Sequence, residues 1–589
     1  MRRLRLSALL LSLVGILALV AAGCGGSDNE DPGSGSDDTA PVEGKQGGAL
    51  TFLAAADVDY IDPGQTYYSF AYMIQYAVNR PLYSFSPEDT DTARPDLAEG
   101  DPQISEDNKT ITVKIKKGIK YSPPVNREVK SADVKYAMER AFSANVPSGY
   151  ATSYFADIVG APDEPTKGVK EIKGLETPDD QTLIIKLDRA TAVTVAAALA
   201  MPITVPVPKE YAEKFDAKSP TDYDQYVAFT GPYMVRNDGE GKLVGRDPGK
   251  KIEIVRNPNW VKDTDFRPAY LDEITVEEGN DDLTVASRRT LSGQSIMCCD
   301  AGQPPIPILK RALTNNKEQV GRVSGGGTRW IAMNTTQKPF DNINIRKGVI
   351  AGFDRDALRL TRGGEEIGPI ANSFIPPEIP GHEESGGEAG FTDIDFMQNP
   401  KGDPALMKKY FDAAKAEGAD ITDGGELLTI ATNADPGNQT AQVAQGQLNK
   451  MGFKLNYRKV PQDTLYTKFC GVPKSNYVIC PNVGWFKDFA DPQSLLEPTF
   501  SGAAIKPQGN VNWSLLDDPK IDQAFKDAGE IPAGPERNKA FADINKMIVE
   551  QAVAIPYSWD DNVVVWSKDV EGVMNAYFSG PDLSFSTLK

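Results

Sequence analysis

Gly484-Trp485-Phe486-Lys487-Asp488-Phe489-Ala490-Asp491-Pro492 lies between a β-branched run, Tyr477-Val478-Ile479, and a helix-like segment, Ser494-Leu495-Leu496. The pattern predicts a strand that ends in a loop carrying aromatic rings and two carboxylates. Loops held at strand ends are common seats for binding groups. A carboxylate set among large aromatics is partly desolvated, and a charge-assisted bond to a cation is then favoured. The same residues also fit a plain surface turn, with Asp491 capping the next helix and Trp485 in the core.

Working outward, the chain has 589 residues, too long for one hydrophobic core. Its 40% hydrophobic and 25% charged residues place it among ordinary globular proteins rather than disordered chains. The formal net charge of -19 disfavours nucleic acid and anionic membrane surfaces as partners. The single histidine, His382, stands in a Gly/Glu-rich stretch and is expected in an exposed surface loop over 379 to 389. A Ser-His-Asp or Cys-His enzyme would have to use it, and a multi-histidine metal site is excluded. No metal and no cofactor is expected.

Met1 to Gly23 reads as an export signal: Arg2, Arg3 and Arg5, then the apolar run Leu6 to Val20, then the small residues Ala21-Ala22-Gly23. Cys24 follows at once. The order resembles a bacterial lipobox, although Ala21 stands where such motifs usually have Leu. The resemblance implies lipid on Cys24, and two or more acyl chains would hold the protein at the extracytoplasmic face of the cell membrane. The next stretch, to residue 47, is nearly free of apolar side chains and reads as a tether with a reach of about 25–30 Å.

Of the other cysteines, Cys298, Cys299, Cys470 and Cys480 allow three pairings. Cys470–Cys480 is favoured because the intervening loop closes easily, stabilising by about 2–3 kcal/mol. Cys298 and Cys299 fit either a vicinal bridge or two free thiols. No Cys-x2-Cys spacing supports zinc.

In the body of the chain, Ala49 to Leu53 reads as the first strand, and Thr110 to Ile115 as a strand with Ile111, Val113 and Ile115 on one face. Ser131 is placed to N-cap a helix with the stripe Val134, Met138, Phe142. Leu427 to Ala431, a helix over 438 to 451 stopped by Gly452, and a strand over 453 to 457 form a βαβ unit, which implies a largely parallel α/β sheet.

Several segments together resemble one family. The opening stretch is similar to the Trp-x-x-Asp-(Tyr/Phe)-x-(Asp/Glu)-Pro segment of the peptide- and nickel-type extracytoplasmic solute-binding proteins of ABC importers. Tyr60-Ile61-Asp62-Pro63, Gly231-Pro232-Tyr233, Arg256-Asn257-Pro258-Asn259-Trp260, and the run Asn334, Pro339-Phe340-Asp341, Arg346, Phe353-Asp354-Arg355 fall at family spacing. The resemblance implies a two-lobed α/β fold of the periplasmic-binding-protein type with an inserted subdomain. It implies a signal peptide over 1–23, a tether over 24–47, lobe I over 48–329 with the insert near 86–225, lobe II over 330–555, and a return to lobe I over 556–589. It implies capture of di- to oligopeptides, without catalysis, for an ABC permease and ATPase complex, by a monomer. Asp488 would take the peptide's α-ammonium. Gly484 would allow close backbone approach. Trp485 and Phe486 would line the pocket, Tyr67 would reach it after the Asp-Pro, and Trp330 and Trp559, near the crossings, would add aromatic walls or simply pack. An oligosaccharide ligand stacked on Trp485 and Phe486 is the alternative. A secreted glycoside hydrolase using Asp488 and Asp491 is the reading from another class.

Overall fold

Three sheets of four or more strands carry most of the chain, beside three two-stranded ones among the described residues, and the order in which the chain visits them fixes where a site can lie. The computed structural model describes residues 44–55, 57–87, 93–299, 303–433, 435–507 and 509–589. The expected signal peptide, Cys24 and most of the tether fall outside these residues. The last residues of the expected tether join the fold instead: Gly47 N–H donates to Tyr270 O at 2.8 Å, and Lys45 bridges to Leu588.

The first sheet runs Val320–Ser324, Asp561–Trp566, Ile296–Cys298, Ala49–Leu53, Glu273–Glu277, Lys251–Arg256, Tyr233–Val235, with Arg246–Asp247 beside Lys251–Arg256. Ala49–Leu53 pairs parallel with both of its neighbours. The second sheet runs Lys454–Val460, Glu426–Thr432, Ile479–Phe486, Gly327–Met333, Ala554–Ser558. Its βαβ unit is as the periodicity predicts, with parallel strands joined by the helix Gly437–Met451, which Gly452 ends at φ 104°. A positive φ there suits glycine because no Cβ opposes it. The sheet as a whole is mixed rather than largely parallel, because Gly327–Met333 pairs antiparallel with both of its neighbours. The third sheet, Gln103–Ile104, Thr110–Lys114, Thr182–Lys186, Leu175–Asp179, is antiparallel and lies in the stretch expected as an insert. Ile111, Val113 and Ile115 are fully buried on one face, each contributing about 1.5–3 kcal/mol of apolar burial.

Each large sheet has its own core, and two strand pairs mark the passage between them. Val320–Ser324 belongs to the first sheet and Gly327–Met333 to the second, so the chain crosses at Gly325-Gly326. It returns between Ala554–Ser558 and Asp561–Trp566, at Trp559-Asp560. The two crossings touch: Gly325 N–H donates to Asp560 O at 3.0 Å.

Three local expectations are corrected. Ser131 is the first residue of its helix and not the cap; its hydroxyl bonds Asp179 O at 2.6 Å, while Asp133 Oδ2 accepts from Lys130 N–H at 2.9 Å. His382 is buried, not exposed: its Nδ1 lies 2.9 Å from Ile375 O and its ring meets Trp559 edge-on at 5.0 Å. The Gly/Glu-rich segment around it packs on the helix Pro535–Glu550, where Asn545 Nδ2 donates to Ser385 Oγ at 3.0 Å. The small residues that suggested a loop are what let its backbone approach so closely.

Candidate functional site

The strand Ile479–Phe486 runs farther than its sequence suggests, so Trp485 and Phe486 are strand residues and the loop begins at Lys487. Pairing with Gly327–Met333 sets Phe486 opposite Gly327, Trp485 opposite Thr328 and Gly484 opposite Arg329. Past the strand end, the chain leaves the second lobe's sheet and enters the first lobe's core. Phe489 is fully buried there and meets Tyr154 edge-on at 5.0 Å. Lys487 Nζ donates to Ala576 O at 2.8 Å, and Tyr577 Oη donates to Asp488 O at 2.9 Å. Asp491 returns the chain to the second lobe, accepting from Gln493 N–H at 2.8 Å and pairing with Arg537 Nε at 2.9 Å.

Asp488 thus stands between the lobes, 8% exposed. Its Oδ2 accepts a short hydrogen bond from the Tyr154 hydroxyl. No cation pairs with it among the described residues. Burial pushes its carboxyl up to about 7, with the Tyr154 bond working the other way. Around it stand tyrosines from distant parts of the first lobe. Tyr67 stacks on Tyr150 at 5.2 Å, Tyr150 on Tyr154 at 6.2 Å, and Tyr72 Oη donates to Tyr150 Oη at 2.9 Å. Burial first, and the Asp488 charge next, hold the Tyr67, Tyr72 and Tyr154 hydroxyls well above the usual phenol range, so they remain protonated donors. The Lys487 ammonium is pulled down to about 8 by its own burial.

The other expected site residues divide. Trp485 is half-buried; its Nε1 donates to Ser494 O at 2.9 Å, and its ring lies 5.9 Å from that of Tyr67 across the lobes. Phe486 lies under the Arg329 guanidinium at 4.5 Å, beside the crossing. Gly484 is glycine for its own sheet's sake: a Cβ there would sit 2.7 Å from Arg329 Cδ and 2.9 Å from Thr328 O. Trp330 is 3% exposed within a cluster of Phe374, Phe500 and Trp513, and Trp559 is equally buried in the return crossing. Cys470 and Cys480 are bonded, with Cα atoms 6.3 Å apart, and Cys298 and Cys299 form an adjacent bonded pair.

Sequence reasoning missed Tyr150, Tyr154 and Tyr577, and it also missed Arg329 and Arg362. Both arginines turn Nε to Asp560 Oδ2, at 2.9 and 2.6 Å. Burial raises the Asp560 carboxyl, but the Arg362 and Arg329 charges outweigh it and hold the group below the usual carboxylate range.

A carboxylate at the lobe boundary, walled by aromatics and with no cation paired to it among the described residues, has the chemistry to accept a positively charged group. The comparisons agree with this architecture. The family profile described as bacterial extracellular solute-binding proteins, family 5 Middle, matches residues 92–507, more than half of the chain. The protein belongs to that family. It is 24% identical over 577 residues to heme-binding protein A of Haemophilus influenzae, covering 95% of each chain. It is 24% identical over 502 residues to a dipeptide-binding protein of Pseudomonas aeruginosa, covering 83% of this chain and 85% of that one. Among solved structures, clavulanic acid biosynthesis oligopeptide binding protein 2 superposes with a TM-score of 0.79 at 24% identity, over 92% of this chain and 96% of that one. The two-lobed solute-binding fold expected from the sequence is the fold observed.

Proposed function

We propose that this family member is the peptide-capturing component of an ABC importer, holding a di- to oligopeptide between its lobes by the free amino terminus. The observation that carries the reading is Asp488, a carboxylate buried at the lobe boundary with no cationic partner among the described residues. An α-ammonium supplies the missing charge, and a desolvated ammonium–carboxylate pair is strong because water no longer competes. Tyr67 and Trp485 close over it from opposite lobes. Closure then depends on ligand contacts made by both lobes, which favour the closed state over the open one. Support for a peptide over an oligosaccharide comes from the dipeptide- and oligopeptide-binding names of the relatives above.

In the same reading, lobe I spans 48–329 and 556–589 with an insert near 86–225, and lobe II spans 330–555. Cys24 carries lipid that keeps the monomeric receptor at the membrane, within reach of the permease and ATPase it serves. Calorimetry with alanine di- to pentapeptides tests the site. Free peptides are expected to bind and their N-acetyl forms to fail; equal binding of both removes Asp488 as the ammonium seat. Hemin is titrated in parallel, and saturable hemin binding without any peptide binding replaces the peptide reading.

A further inference from the structure

The first lobe holds another acid that its surroundings do not meet. Glu278 follows the strand Glu273–Glu277 and is 8% exposed. Both of its carboxylate oxygens are buried without a hydrogen-bond partner among the described residues, and so is Asp57 Oδ1. The two side chains stand together. Asp57 follows the neighbouring parallel strand Ala49–Leu53, and the turn Gly249-Lys250 touches both: Gly249 N–H donates to Asp57 Oδ2 at 3.1 Å, and Glu278 N–H donates to Lys250 O at 2.8 Å. The two carboxyl groups lie within hydrogen-bond reach of each other. A buried acceptor without a donor is costly, and two ionised carboxylates in contact cost more.

Arg246 is the cation that faces the pair. Its Nη2 lies 3.5 Å from Asp57 Oδ1, and its Nη1 is turned to Asp224 Oδ2 at 3.3 Å. Lys250 gives its ammonium to Asp247 at 3.0 Å, Arg289 pairs with Glu277 at 2.9 Å, and Asp281 and Asp282 lie exposed beyond. A metal ion fits poorly. Only two carboxylates converge, no third metal-binding side chain joins them among the described residues, and a guanidinium already stands beside Asp57. A proton fits, because it turns one acceptor into a donor. Burial first, and the Asp57 carboxylate next, push the Glu278 carboxyl up to about 8.

Asp57 also opens the segment that bears Tyr67. Residues 57–68 are stitched by carboxylates. Asp224 Oδ1 accepts from the Ile61 and Asp62 N–H groups at 2.5 and 3.0 Å, and Asp59 accepts from Thr66 Oγ1 at 3.2 Å and from the N–H groups of Tyr67 and Tyr68. Arg246 joins Asp57 to Asp224, so a chain of charge runs from Glu278 into the segment.

We infer that Asp57 and Glu278 share one proton in the folded protein, and that this proton holds the segment 57–68, with Tyr67, in place. Its loss sets two like charges side by side at the root of the segment. The closed segment binds the proton, and the opened one releases it near the ordinary glutamate value. Opening therefore becomes easier as pH rises from 4.5 to about 8, and levels off above.

Hydrogen exchange of the full chain, read by mass spectrometry and corrected for the intrinsic pH dependence of the rates, tests this. Protection of the amides in 57–68 is expected to fall about tenfold per pH unit up to about pH 8 and then to level. Glu278→Gln keeps the shape and supplies a permanent donor, and is expected to flatten the profile. Asp57→Asn is expected to move its upper limit to lower pH, because the neighbouring charge is gone. A level wild-type profile overturns the shared proton, and so does an unchanged slope in Glu278→Gln, which assigns the slope to another acid. A rise in melting temperature on adding calcium at neutral pH, absent from Glu278→Gln, also overturns it and gives the pair to a cation. Should neither variant fold, Asp488→Asn decides: a slope that survives there keeps the proton in the pair, and one that vanishes moves it to Asp488.

Discussion

Two buried carboxylates flank the lobe boundary, and they are solved in opposite ways. Asp560 is 4% exposed and meets two arginines; Asp488 is 8% exposed and meets a phenol. The first is depressed below the ordinary carboxylate range, and the second is pushed up to about 7 by burial. The difference separates an acid whose charge the fold already meets from one that has only a phenol for a side-chain partner among the described residues. Arg140 makes the same point within the first lobe, where it is fully buried between Asp62 at 2.7 Å and Asp216 at 2.6 Å. Asp488, buried with no paired cation among the described residues, differs from both, and buried acids with a raised value of this kind gather at functional sites.

The sharpest way to break the comparison is to remove each acid. Asp560→Ala is expected to cost about 3–5 kcal/mol of stability in chemical denaturation, because the buried Arg362 and the half-buried Arg329 lose their shared partner. Asp488→Ala is expected to cost about 2–5 kcal/mol of peptide affinity by calorimetry, with no loss of stability. If the two variants exchange these phenotypes, the assignment of roles is wrong.

The pH dependence has opposite sign at the two acids. The folded-state value of Asp488 is raised, so stability of the ligand-free protein falls as pH climbs from near 4 to about 7. Asp560 is lowered, so its contribution is present above the ordinary range and is lost on acidification. For peptide binding, an ammonium requires ionised Asp488. Affinity is expected to fall about tenfold per pH unit below about pH 7 as Asp488 takes up a proton, with Asp488→Asn showing no such slope, and to fall again above about pH 8 as the peptide's α-ammonium loses its own. A flat profile in the wild type contradicts an ammonium seat at this carboxylate.

The smallest expected effect belongs to Tyr154→Phe. It removes the donor to Asp488 and is expected to weaken peptide binding by about 1 kcal/mol. Because that bond holds the Asp488 value down, the midpoint of the binding profile should move to higher pH. An unchanged midpoint with full affinity shows that Tyr154 only packs.

Much of the frame was legible in the sequence because it rests on local pattern. The strand Ala49–Leu53, the alternation of Ile111, Val113 and Ile115, and the helix before Gly452 all follow from period and stop signals. Asp488 was legible through the motif around it. The strand leading to it was not, because Pro481, Asn482 and Gly484 read as breakers, while the strand takes up Pro481 and Asn482 at a register shift and pairs Gly484 with Arg329. Tyr67 was marked by its place after Asp62-Pro63, but the rest of the tyrosine cluster was hidden for another reason: Tyr150, Tyr154 and Tyr577 come to Asp488 only in three dimensions, and nothing local marks any of them. His382 misled because its glycine-rich neighbours suggest a loop, whereas tertiary packing buries it against Trp559.

One feature of the sheet order bears on how this molecule is made. Asp561–Trp566 is not an edge strand; it lies between Val320–Ser324 and Ile296–Cys298 in the first sheet. The ribosome supplies that strand after every strand of the second sheet. The lobe that begins first is therefore completed last, and until then two of its strands have an open flank where hydrogen bonds are owed. A chain that collapses early would bury the slot that this later strand must fill.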